Sequence, residues 1–151
     1  MIQPQHEELA ADRFEGQAVA ALYFSDVKPL DGPVALLDWR MNGQLTRMLL
    51  DGKVSGRAGE HVMLQSNGKL AAEWVLFVGG GKWHGLGAET HGSLIRHMIS
   101  VARKAGFKSV SLAFMPHEDV SKEDLQKQVE AALKAEGEGI ESCKFSCNSL
   151  K

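Results

Sequence analysis

Residues 73–87 read EWVLFVGGGKWHGLG, and their reading decides the fold. From Trp74 to Val78 every position is apolar, so a strand here would bury both faces. Such a strand belongs in the middle of a sheet covered by helices on each side, because a sheet with one wet face alternates apolar and polar residues instead. Glycines follow at once. From about Ala88 to Ala105 the apolar residues Leu94, Ile95, Met98, Val101, Ala102 and Ala105 then recur at the 3.6-residue period of an amphipathic helix, and Gly106 stops it. A buried strand, a glycine turn and a helix in that order make the repeating unit of an α/β fold.

The same alternation extends in both directions. Residues 17–24, QAVAALYF, predict a buried strand, and SDVKPLDGP a loop. Asp31-Gly32 followed by Pro33 opens a helix, since proline is tolerated in a first helical turn. That helix is expected to run from Val34 to Leu50 as one piece, with Leu36, Leu37, Met41, Leu45, Met48 and Leu49 near one face. Gly43 interrupts it at a cost of about 1 kcal/mol relative to alanine, which suggests close packing against the sheet. Gly52 is its stop. Residues 61–66 and 73–79 predict strands joined by a turn at Asn67-Gly68. Residues 109–115, SVSLAFM, predict another strand, ended by Pro116. Ser121 to Asp124 has the spacing of a capping start for a helix through Lys134. Residues 135–151 are expected to continue as a helix, with Ile140, Cys143 and Cys147 facing inward. The sum is an α/β fold, a mixed and largely parallel sheet flanked by helices, with residues 1–151 as one domain.

Composition narrows the classes of function. The chain has 151 residues, 44% hydrophobic and 24% charged, as in a soluble globular protein. A net charge of −2 gives no overall pull toward nucleic acid or anionic lipid, although its 17 Lys and Arg residues could still cluster on one face. The N-terminus has neither a basic start nor an apolar core, so a secretory signal is not read there, and no apolar run approaches the roughly 20 residues of a membrane span. A cytoplasmic protein with two reduced thiols, Cys143 and Cys147, is expected.

Candidate chemistry is sparse. Gly79, Gly80 and Gly81, then Lys82, Trp83 and His84, sit between a central strand and a helix, where open α/β sheets bind ligands. Lys82 could meet a phosphate and Trp83 could stack on a base. The same glycines suit, more simply, a tight turn that needs only positive φ. His91 and His97 are six apart on one predicted helix, which is not the i, i+4 spacing of a helical zinc pair, and solvated or hydrogen-bonded histidines are expected. Cys143 and Cys147 are half a metal site, so no metal and no cofactor is expected. No Gly-x-Ser-x-Gly elbow occurs. The charged residues of 120–136 read as a solvated helix face.

Three stretches carry a resemblance. PLDGPVALLDWRMNGQLTRMLLDGKVSGRAGE (29–60), VLFVGGGK (75–82) and the step from AGFKS into SVSLAF (105–114) are similar, in order, to the N-terminal domain of leucyl aminopeptidases; LLDWR is the most specific part. The ending FSCNSLK departs from the Tyr-x-Phe-aromatic pattern of that family. The resemblance implies a three-layer fold similar to the macro domain, whose best-known members bind ADP-ribose. It implies an accessory module that in full-length enzymes helps to organise hexamers and in some members contacts DNA. The catalytic domain's Asn-Thr-Asp-Ala-Glu-Gly-Arg signature does not occur in these 151 residues, so no peptidase activity is expected. Two readings stand: a non-catalytic module that associates with itself or with an aminopeptidase, or a module that holds a nucleotide or ADP-ribose-like diphosphate. For the second the site would be Asp31 and Gly32 with Gly79, Gly80, Gly81, Lys82, Trp83 and His84. Pro33 stands where a glycine would supply an N–H to a diphosphate. Diphosphate binding needs a concave pocket with free N–H groups at both loops, whereas partner binding needs an exposed apolar patch.

Overall fold

The computed structural model describes residues 2–147. Strands β1 (Gln5–His6), β2 (Gly16–Tyr23), β3 (His61–Gln65), β4 (Ala72–Gly79), β5 (Ser109–Phe114) and β6 (Ser142–Cys147) form one sheet in the order β1-β6-β5-β2-β4-β3. All neighbours run parallel except β3, which pairs antiparallel with β4. Helices α1 (Gly32–Arg40) and α2 (Gln44–Leu50) cover one face, and α3 (Ala88–Lys104) and α4 (Lys122–Glu136) the other.

The strand period of two sorts side chains between these layers. Along β2, Ala18, Ala20 and Leu22 join Ile95, Met98 and Ile99 of α3 and Val129 and Leu133 of α4. Val19, Ala21 and Tyr23 join Leu37 of α1 and Leu45 of α2 on the opposite face. The run 73–79 is indeed central strand β4, with Val75, Leu76, Phe77 and Val78 all buried. The expected caps are also present. Asp31 accepts the Gly32 N–H at 2.8 Å, and Ser121 and Asp124 form a reciprocal capping box at the start of α4.

Several expectations fail. The helix expected over 34–50 is two helices, because Asn42 and Gly43 both take positive φ, at 62° and 72°, and turn the chain between them. Gly43 is a left-handed N-cap rather than a packing contact: a Cβ there would meet nothing within 4 Å. Residues 142–147, expected to be helical, form strand β6. A spacing of four puts Cys143 and Cys147 on one face in a helix and in a strand alike. The decisive residue is Phe145 between them, which faces the same core as Cys143. Gly137 ends α4, where a Cβ would fall 2.6 Å from the Leu133 carbonyl oxygen. The remainder of the expected helix, 148–151, lies outside the described residues, as does the end of FSCNSLK. Ala105, expected to close the α3 stripe, is exposed at its C-cap.

Burial gives one fold prediction. His91 lies in α3, and its Nδ1 is 2.9 Å from Gln128 Oε1, while Gln128 Nε2 donates to the Ala88 carbonyl. That pairing assigns the proton to Nδ1. Burial holds the imidazole below the ordinary histidine range, which the Gln128 bond opposes and nearby His117 reinforces. The unfolded chain therefore takes up this proton first, so the stability is complete above about pH 6.5 and is lost as pH falls toward the folded value. Thermal unfolding at stepped pH should show Tm falling below neutrality. His91→Asn, which keeps a donor but does not titrate, should have the shallower slope; equal slopes would refute this.

Candidate functional site

The C-terminal ends of β2, β4 and β5 meet at one edge of the sheet, with Tyr23 of β2 in register with Gly79 of β4. Beyond them lie the loops 24–31, 80–87 and 115–121, and between them opens a cleft of about 660 Å³. It is lined by Asp26, Asp31, Trp83 and His84, with Pro29 and Met115 among the others. A neighbouring cavity bordered by Phe24, Pro33, Trp83 and Met115 has room of only about 10 Å³, about the least that one water needs.

Of the residues named from sequence, Asp31, Trp83 and His84 reach this cleft. The three glycines do not line it. Their N–H groups are spent on main-chain carbonyls: Gly79 on Glu60 (2.7 Å), Gly80 on Tyr23 (2.8 Å) and Gly81 on Gly56 (2.8 Å). The Gly81 carbonyl in turn accepts Ser25 N–H and Ser25 Oγ–H at 2.7 and 3.0 Å. Lys82 is exposed on the loop and does not line the cleft. Gly32 sits with φ 69° against Met115, where a Cβ would fall 2.9 Å from the sulfur.

Trp83 and His84 are committed as well. The Trp83 N–H donates to Asp26 Oδ1 at 2.7 Å, and the His84 N–H and Nδ1 reach Asp26 Oδ2 at 3.0 and 2.8 Å. The Trp83 amide foremost, with His84, holds the Asp26 carboxyl well below the usual carboxylate range. The indole makes T-shaped contacts with Phe24 and His117, with centroids 5.0 and 4.6 Å away.

A second carboxylate organises the neighbouring loop. Glu60 accepts Tyr23 O–H at 2.8 Å, Ser55 N–H at 2.8 Å and the Gly56 N–H, clamping 53–60 over the ends of β2 and β4. Burial pushes its pKa up, but the Gly56, Tyr23 and Ser55 donors outweigh that and hold it below the usual value. Burial together with Glu60 pushes the Tyr23 phenol well above its ordinary range. Sequence reasoning missed Asp26, Glu60 and the Met115–His117 loop. Only the Ser-Asp pair after β2 was a signal, and it reads as any polar loop does.

The remaining sequence candidates fall elsewhere. His97 Nε2 bonds the Gly59 carbonyl at 3.1 Å, and His91 is buried as described. Cys143 and Cys147 are free thiols; burial pushes Cys143 up to about 12. Among the described residues no three His, Cys, Asp or Glu side chains gather as metal ligands, and no helix is long and apolar enough to cross a membrane.

Solved structures share this fold. A tomato leucine aminopeptidase mutant aligns with TM-score 0.75 at 15% identity, over 97% of this chain and 32% of that one. The macrodomain of Mycobacterium tuberculosis DarG aligns with TM-score 0.72 at 12% identity, over 95% and 97%. The Trypanosoma brucei macrodomain in complex with ADP-ribose aligns with TM-score 0.66 at 15% identity, over 94% and 62%. The chain thus spans about a third of the tomato enzyme's length. A comparison with curated proteins gave no match. Residues 19–151 match the cytosol aminopeptidase family, N-terminal domain, and the chain belongs to that family.

Proposed function

We propose that the chain is a non-catalytic module that acts by protein association, through the corner between α1 and α2, with a second copy of itself as partner. The observation that carries this is the exposure of Trp39 and Leu50, 71% and 80%, on a molecule whose other large hydrophobic side chains, among those described, are at least partly covered. Both line one open groove of about 730 Å³, with Pro29, Leu30, Thr46 and Arg47. Tryptophan in such a setting is the residue type that most often dominates a protein interface. A two-fold interface sets one patch against itself, and here exposed Trp39 lies beside an open groove that a second copy's ring can enter. Arg47 reaches only the Asn42 carbonyl within its own chain. Asp51 follows at the end of α2, and across a two-fold axis the two charges can pair.

The test is light scattering across a concentration series. A dimer should form, and Trp39→Ser should weaken it by about 2 kcal/mol or more, roughly thirtyfold in Kd. A monomer at every concentration overturns the proposal, and co-elution with an added leucyl aminopeptidase would then name the partner instead.

The diphosphate reading is favoured by one observation, the likeness to a macrodomain in complex with ADP-ribose. The geometry offers it little: the N–H groups of Gly32, Gly79, Gly80, Gly81, Trp83 and His84 are all paired internally, and Asp26 and Asp31 stand in the cleft. Titration calorimetry with ADP-ribose should accordingly give no saturable heat.

A further inference from the structure

We propose that the Trp83–His84 turn is a cradle for a phosphate-type oxyanion, held shut from within by the carboxylate of Asp26. Three donors converge on that one carboxylate: two consecutive backbone N–H groups and an imidazole. Consecutive main-chain N–H groups aimed at one point are the common element of anion-binding nests. Here the anion is a side chain of the same molecule. Being tethered, it competes at high effective concentration, so a free oxyanion does not displace it.

The cradle does not depend on Asp26 for its shape. Gly80 and Gly81 are fixed by the Tyr23 and Gly56 carbonyls, Ser25 is tied twice to the Gly81 carbonyl, and the indole makes T-shaped contacts with Phe24 and His117. If Asp26 rotates about its own side-chain bonds, the two N–H groups and His84 therefore stay in place. His84 is 82% exposed at its side chain and the open cleft adjoins the pair, so the vacated turn is reachable, and its free donors face Asp31 across the cleft as the one remaining carboxylate lining it. Acid does not open this latch near neutral pH, because the same donors keep Asp26 ionised. Opening requires only that the Asp26 side chain swing out of the turn.

The experiment is backbone-amide NMR of the whole chain titrated with inorganic phosphate, with chloride at matched ionic strength as control. In Asp26→Ala the Trp83 and His84 amides should shift saturably, and adding His84→Ala should weaken binding severalfold. In the wild type the same amides should not move. Tighter binding of ADP-ribose than of inorganic phosphate by the variant would assign the oxyanion to a nucleotide; equal binding would assign a free one. A folded Asp26→Ala protein whose amides ignore both, or a wild type that responds saturably, overturns the proposal. Hydrogen exchange of the wild type keeps the claim testable should the variant not fold. The Trp83 and His84 amides should exchange about tenfold or more slowly than that of Lys82, and an absence of protection overturns the cradle.

Discussion

Gly79→Ala should destabilise the protein by about 3 kcal/mol or more, the largest effect of any single methyl group added to the glycine loop. Gly79 does not have positive φ; its need for glycine is one of space. A Cβ there would overlap the Arg57 carbonyl oxygen and fall 2.8 Å from Glu60 Cγ. Both belong to the 53–60 segment that Glu60 clamps over the sheet, and a backbone carbonyl cannot turn aside as a side chain can. The two following glycines should respond differently. At Gly80 the Cβ would run into the Phe24 ring, which can shift, so about 1–3 kcal/mol is expected. At Gly81 the nearest atom is 3.6 Å away and only φ of 79° resists, so about 1–2 kcal/mol is expected. Chemical denaturation of the three variants should rank them in sequence order. Three equally mild effects would mean that the loop is glycine-rich for access rather than for packing.

Asp38→Ala should cost about 3 kcal/mol. The buried Asp38 carboxylate accepts the Leu45 N–H at 2.7 Å and the Thr46 N–H and hydroxyl at 3.3 and 2.6 Å. It caps α2 from the body of α1, because the nominal N-cap, Gly43, has no side chain to do so. Removing it strands first-turn donors of α2, among them the N–H of buried Leu45, and an unmade buried hydrogen bond is expensive. Thr46→Val removes one of the three bonds and should cost only about 1 kcal/mol. Asp38 also lines the groove beside Trp39, so a loosened corner should weaken association along with stability. An Asp38→Ala protein as stable as wild type would mean that water replaces the cap.

Much of the fold could be read from local pattern. The unbroken apolar run 74–78, the Asp31-Gly32-Pro33 opening and the Ser121–Asp124 box each carry their physics within a few residues, and each appears where expected. The break at Asn42-Gly43 was harder, because its cause is long-range: Asp38, buried, pays the capping cost of a second helix. Strand β6 was hidden by the spacing of its cysteines, and β1 by its length of two residues.

The candidate site was less legible. Glycine content marks a turn but does not reveal where its N–H groups go. Those groups are spent on Glu60, Tyr23 and Gly56, and on a carboxylate 57 residues before Trp83. Nor does an apolar residue on a helix announce whether it is covered. Trp39 lies two positions past Leu37, which is fully buried, yet it faces solvent.

The chain carries three tryptophans in three environments, so one spectrum separates the two possible binding faces. Trp39 is exposed on the α1–α2 corner, Trp83 lines the cleft, and Trp74 packs against the α3 side of the sheet. The measurement is the indole N–H region of the nitrogen–proton correlation spectrum as the protein is diluted from millimolar to micromolar. The Trp39 resonance should move as the dimer dissociates while those of Trp74 and Trp83 stay in place. A stationary Trp39 resonance across the whole range would contradict association through this face.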